Sequence, residues 1–337
     1  MTNQRSFLIA VAATALVVLA AITVYWWREP PPEPPEPLVV AVANSQFGVP
    51  ILVAAQKGFF AAEGLQVTLQ RHPFGKPALE AMLRGEAEVA TVAETPIMFA
   101  SFQEPSFSVI ANYATSGETI LVARADRGIK QVMDLRGRRV GVSVGTTAHY
   151  VLHVLLSDQG LTEADVELVP LPAPALAAAL AAGRVDAVAA FAPYTTQSRT
   201  ALQGNAISFS AGIRYAGFSS LAVSREFSRR RPEAALRLLR ATDRAITWMR
   251  DHRREAIDLA AREHGIEVAA VEETWDDLRP ALALDQAFIL LLEAEARWAI
   301  GAGLAPGATV PNYLDYIDPS VLQRLHPAAV SIIQGRP

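Results

Sequence analysis

From residue 38 onward the chain alternates short, Val-rich apolar runs with runs of helical periodicity, and it does so twice. That alternation is the tightest constraint on its fold, because strand, helix and strand in succession pack as parallel strands covered by helices. Residues 38–43, 65–70, 87–92 and 107–113 read as strands, with helices at 50–63, 77–84 and 96–102; Gly64 stands where a helix stop belongs. The second copy places strands at 138–143, 166–171 and 185–191 around helices at 147–159 and 174–183. Residues 219–224 read as one more strand, and everything beyond reads as helical, including 233–251, 255–263 and 285–300. The predicted architecture is α/β with mostly parallel sheets, in two lobes: 38–123 with 219–337, and 124–218. A chain of 337 residues with 51% hydrophobic content can fill both cores. In such sheets ligands sit outside the carboxyl ends of the strands, here in the cleft between lobes.

Ahead of this body, residues 7–27 run for 21 positions without a charge, enough helix to cross a bilayer core of roughly 30 Å. Tyr25, Trp26 and Trp27 end the run where an interfacial aromatic belt belongs. Residues 1–28 therefore read as a retained membrane anchor with the body outside the cytoplasm. A cleaved signal peptide, with Arg5 as its positive start, is the alternative. Residues 29–37, EPPPEPPEP, cannot form a helix and read as a stiff extended spacer.

Composition removes several function classes. A net charge of -4 gives no basic excess for nucleic acid, and the run Arg229–Arg231 reads as a solvated helix start. With no cysteine there is no disulfide, thiol nucleophile, thiolate metal site or lipoprotein anchor. Gly75-Lys76 is no P-loop, since Gln70 and Pro77 occupy the positions that need Gly and Ser or Thr; Lys76 at a helix start can still attract an anion. His149 and His153, four residues apart, share a helix face but lack a third ligand, and no metal or other cofactor is expected. No nucleophile elbow or catalytic triad is present, and no enzymatic role is expected.

The candidate binding residues sit where strands end and helices begin. The loop after the first strand offers Asn44, Ser45 and Phe47 before Pro50 opens a helix. Glu94 and Thr95 follow the third strand; Glu94 can hold a ligand amine or cap the helix. Gly145, Thr146, Thr147 and His149 bring free amides and hydroxyls together at the positive end of a helix dipole, which suits an anionic or strongly polar group. Any of these can equally be an ordinary strand-to-helix turn.

In this order, residues 50–65 (PILVAAQKGFFAAEGL), 81–96 (AMLRGEAEVATVAETP), 132–150 (VMDLRGRRVGVSVGTTAHY), 160–169, 178–194 (AALAAGRVDAVAAFAPY) and 231–248 resemble the periplasmic binding proteins of sulfonate, taurine, nitrate and thiamine-precursor ABC transporters. The resemblance implies a two-lobed type II periplasmic binding fold that closes on a small solute and delivers it to a permease served by a separate ATPase. It points to Asn44, Ser45, Phe47, Glu94 and Thr95 in one lobe and to Gly145, Thr146, Thr147 and His149 in the other. It adds Phe191 and Tyr194 as walls, with Arg214 and Tyr215 near the return crossing. Two departures stand out: an acid frequent in the family is Ala192 here, and an anchor replaces the lipobox. The alternatives are a tethered ligand sensor and an enzyme like the thiamine-pyrimidine synthases, whose cysteine-rich motif is missing here.

Overall fold

Two β-sheets organise the chain in the computed structural model, which describes residues 34–103, 106–117, 120–212 and 215–333. The first sheet has the order β11-β4-β10-β3-β1-β2 and the second β7-β6-β8-β5-β9. In the first, β1 (Glu36–Ala43), β2 (Leu65–His72), β3 (Val89–Ala93) and β4 (Phe107–Ser116) carry the predicted alternation. β1 lies parallel to both β2 and β3, with Val40 opposite Leu69 and Val89. In the second, β6 (Arg139–Val142) lies parallel to β7 (Glu167–Pro170) and β8 (Ala187–Ala190).

The sheets are mixed rather than mostly parallel. The chain enters the second sheet through β5 (Ile120–Arg124), which runs antiparallel to β8 and to β9 (Ala206–Ser210). It returns as β10 (Gly217–Ser224), inserted antiparallel between β3 and β4. A strand that comes back from the other lobe enters from the opposite end, so its direction is reversed. β5 and β9 go beyond the strands expected from the sequence, and both belong to the second sheet.

The expectation that everything beyond residue 224 is helical also needs correction. β11 (Leu278–Ala283) pairs antiparallel with β4 at the edge of the first sheet. Pro280 argues against a central strand but is tolerated at an edge, where one side needs no donor. The same reasoning explains the start of β1: Pro37 pairs with β2 alone, because β3 joins only from Val40. The anchor predicted over 1–28 and the spacer up to residue 33 lie outside the described residues; among the described residues no helix is long and apolar enough to cross a membrane.

Each sheet has its own apolar core. The helix Pro232–Asp251 begins with proline in its first turn and buries Ala235, Leu238, Leu239, Thr242, Ile246 and Met249 at helical spacing against the helix Val49–Gln56. Both sheets belong to one compact unit, Glu36–Pro337. At the turn out of β1, Gly48 is packed so closely that a Cβ there would lie 2.1 Å from the carbonyl oxygen of Ala43. Gly48→Ala therefore has to push the turn off the strand end, and a loss of about 1–3 kcal/mol or more is expected in denaturant unfolding. Unchanged stability would show that the turn relaxes freely.

Candidate functional site

The carboxyl ends of β1, β2, β3, β6 and β8 face a small cavity of about 20 Å³ between the two sheets. The first lobe supplies Ala43, Ser45 and Phe47 after β1, Phe74, Gly75 and Lys76 after β2, and Thr91 to Ala93 with Pro96 around the end of β3. The second lobe supplies Thr146 and Thr147 after β6 and Phe191 after β8. Every segment is a strand end, where parallel strands release the chain into a helix and leave amides and side chains free.

The second-lobe wall is built by a turn that only glycine adopts without strain. Gly145 has φ of 76°, and a Cβ there would also sit 3.2 Å from Lys76 Nζ. Thr146 follows in an extended conformation and donates from Oγ1 to the Ser143 carbonyl at 2.6 Å. The helix Thr147–Ser157 then begins, and its first amides have no intrahelical acceptor. Lys76, on the facing wall, reaches across the cleft to donate to the Val144 carbonyl at 3.2 Å. Phe74 meets Phe191 across the same cleft, their ring centres 6.1 Å apart.

Ser45, Phe47, Thr146, Thr147 and Phe191 thus line the cavity, whereas the other sequence candidates are placed around it. Glu94 is fully buried and does not line it. Its carboxylate accepts from Thr147 Oγ1 at 3.0 Å, from the Phe218 amide at 2.7 Å and, in a short hydrogen bond, from the Tyr215 hydroxyl. Thr95 Oγ1 lies 3.3 Å from Glu94 and 2.6 Å from Glu295, a second buried carboxyl whose Oε2 has no partner among the described residues. His149 turns away from the cavity: Nδ1 accepts from the Gly145 amide at 3.4 Å and Nε2 lies 3.2 Å from Glu163. Glu163 also accepts from Trp298 Nε1 at 3.0 Å, so this chain ties the second lobe to the helix Gln286–Gly301 of the first. Asn44 Oδ1 lies 3.0 Å from His264 Nδ1, and the Tyr194 hydroxyl donates to the Pro73 carbonyl at 2.9 Å. Arg214 lies outside the described residues.

The two buried carboxyls resist ionisation. Burial raises Glu94, against the opposing donors from Tyr215, its own amide, Phe218 and Thr147. Burial and then the charge of Glu94 raise Glu295 well above the usual carboxylate range. Because donors converge on Glu94 while Thr95 alone serves Glu295, the geometry puts the negative charge on Glu94 and a proton on Glu295. Glu163 behaves oppositely: burial would raise it, but His149 and Trp298 outweigh that and hold it below its ordinary value. Among the described residues no group of three potential metal ligands converges.

Phe74, Gly75 and Thr91 also line the cavity and follow the same strand-end rule. Lys76, an anion attractor by its place at a helix start, joins them. Glu163, Glu295 and Trp298 carry no local signal, since each meets the site through a partner more than a hundred residues away or on another element.

The family described as NMT1/THI5 like matches residues 45–256. A Bacillus subtilis (strain 168) protein provisionally named an aliphatic sulfonates-binding protein is 26% identical over 240 residues, 68% of this chain and 71% of that protein. The taurine-binding periplasmic protein of Escherichia coli (strain K12) is 29% identical over 157 residues, 46% of this chain and 48% of its own length. Among solved structures, the alkanesulfonate-binding protein SsuA from Xanthomonas axonopodis pv. citri bound to MOPS has a TM-score of 0.74 at 21% identity, over 84% of this chain and 98% of that one. The desulfurization enzyme DSZB shares the fold with a TM-score of 0.64 at 21% identity, over 86% and 98%. The architecture is thus the two-lobed fold of periplasmic binding proteins, and that fold also serves an enzyme.

The buried pair has a sign that can be measured. A carboxyl raised in the folded state binds its proton more tightly there, so its contribution to stability is complete below the ordinary carboxylate range and is lost as pH rises. Glu295→Gln removes that loss. The variant is expected to exceed the parent at pH 7–8 by on the order of 1 kcal/mol, with the advantage gone near pH 4, as thermal melts across that range would record. Equal destabilisation at both ends would remove the proton from Glu295.

Proposed function

The chain belongs to the NMT1/THI5-like family, and on that footing we propose that it is the extracytoplasmic solute-binding protein of an ABC importer, taking a small solute of the sulfonate class. The observation that carries this is the cavity itself, walled by aromatic rings, with one amine and the start of a helix aimed into it. An oxyanion suits that arrangement: helix amides donate, the dipole favours negative charge, and Lys76 neutralises it. The names of the relatives that bind sulfonates and taurine point to the same class.

Binding follows from the geometry as a shift of population. A solute held by Ser45 and Lys76 on one side and by Thr146 and Thr147 on the other gains all its contacts only when the lobes are together. The resulting closed surface is what a permease would recognise, and the energy for transport would come from a separate ATPase. The apolar run at 7–27 would hold the body at the outer face of the inner membrane. Binding is preferred to catalysis because the hydroxyls of Thr146 and Thr147 are committed to protein acceptors, Ser143 and Glu94.

A native-state ligand must raise the melting temperature, and a solute at a hundred times its Kd adds about 2.7 kcal/mol. Short alkanesulfonates are expected to give such a shift, and Ser45→Ala with Thr146→Ala to shrink it. If the protein melts cooperatively and no sulfonate moves the transition, the ligand class is wrong. The contact on the other side of the lobes can be tested separately. Trp298→Phe keeps an aromatic side chain but deletes the hydrogen bond to Glu163, so the closed form is less populated and affinity should fall roughly two- to tenfold with the cavity wall intact. Titration calorimetry reads this directly, and unchanged affinity would separate that contact from closure.

A further inference from the structure

Lys76 is the one charged side chain among the described residues that line the cavity. It stands in the first turn of the helix Gly75–Leu83, half-buried, and its amine spans the cleft to the Val144 carbonyl. It also lines the outer groove, with Glu80, Ser143 and Val144, so it sits between solvent and the interior. Among the described residues its polar partner is the Val144 carbonyl and no carboxylate; Glu80, one turn further along the same helix, is exposed. A half-buried ammonium with only a carbonyl for a partner has unused capacity for an anion.

The complementary fact concerns acids. None of the described lining residues is a carboxylate. Glu94, the acid nearest in sequence, has its oxygens occupied by Thr147, Tyr215 and the Phe218 amide and is fully buried behind the wall. Phe47, Phe74, Val92, Pro96 and Phe191 make the remaining surface apolar. A ligand ammonium would therefore lose its hydration with no lining carboxylate to pair with directly, and it would be repelled by Lys76 as well.

We propose that Lys76 is the charge-selecting residue of this site, and that the ligand is a small organic monoanion with an apolar tail and no amino group. This rests on the solute-binding reading and sharpens it, because it divides simple alkanesulfonates from zwitterions such as taurine. The anion sits between Lys76 and the Thr146–Thr147 turn, and the tail lies along the rings. Rejection of zwitterions comes from the missing acid, which supplies specificity by leaving the wrong ligand unpaired.

Ethanesulfonate and taurine differ only by the amino group, so titration calorimetry of both against the full-length protein in detergent is the test. The wild type should bind ethanesulfonate at least tenfold more tightly than taurine. Lys76→Met, close in length and neutral, should weaken ethanesulfonate by roughly tenfold or more and narrow the gap between the two, while Lys76→Arg keeps most of the affinity. Melting temperatures of the ligand-free variants identify any loss that comes from misfolding. Taurine binding as tightly as ethanesulfonate, or Lys76→Met binding ethanesulfonate like the wild type, overturns the assignment and leaves the solute-binding reading standing. If no alkanesulfonate of any length binds the wild type, the sulfonate class is wrong and the assignment of Lys76 falls with it.

Discussion

The buried carboxylate of Glu94 is the interaction on which the arrangement of the two lobes depends. It leaves the end of β3 in the first lobe and accepts from Thr147 in the second, from Tyr215 on the returning segment and from the Phe218 amide in β10. A buried carboxylate without donors costs several kcal/mol, so these donors have to stay together. Their convergence sets where the chain re-enters the first sheet and how the helix Thr147–Ser157 is aimed. With Thr147 Oγ1 held by Glu94, the start of that helix faces the cavity, which is the feature that makes the site suit an anion.

Around this hub the lobes meet on two sides. Near the mouth, Lys76 reaches the Val144 carbonyl, Tyr194 reaches Pro73, and Phe74 faces Phe191. On the side of the helix Gln286–Gly301, Trp298 and His149 share Glu163, and Trp298 lies edge-on to the His149 ring with centres 5.0 Å apart. Much of the closed interface is therefore protein against protein. A small ligand cannot supply many contacts of its own, so a cleft with substantial closure contacts lets a few hydrogen bonds tip the balance. His149 links the two functions: its ring receives the Gly145 amide, so the turn that lines the cavity is braced by the contact that holds the lobes together.

The local rule of strand ends served where the side chain's task is also local. Ser45, Phe47, Thr146, Thr147 and Phe191 reach the cavity because the turn that follows their strand directs them there. Asn44, Glu94 and His149 stand in equally plausible positions, yet their side chains are turned by His264, by Tyr215 with Thr147, and by Glu163. Those partners come from other elements, and nothing in the flanking residues announces them. The strands show the same division. β1 and β6 are legible as apolar runs buried on both faces, whereas β11 carries a proline and becomes a strand only because the edge of β4 is there to pair with it.

The alternation of short Val-rich runs with helical runs determined by itself that the chain would form two α/β lobes, because hydrophobic periodicity is written residue by residue and each element must bury its own apolar face. Spacing likewise determined that glycine, hydroxyls and a helix start would follow β6. The tertiary structure alone decided that β10 returns antiparallel between β3 and β4, that Glu94 is spent on joining the lobes, and that Lys76 is left as the charge facing the cavity. A charged side chain has no intrinsic direction; its role is set by which donors and acceptors the rest of the fold brings within about 3 Å, and those here lie dozens to hundreds of residues away.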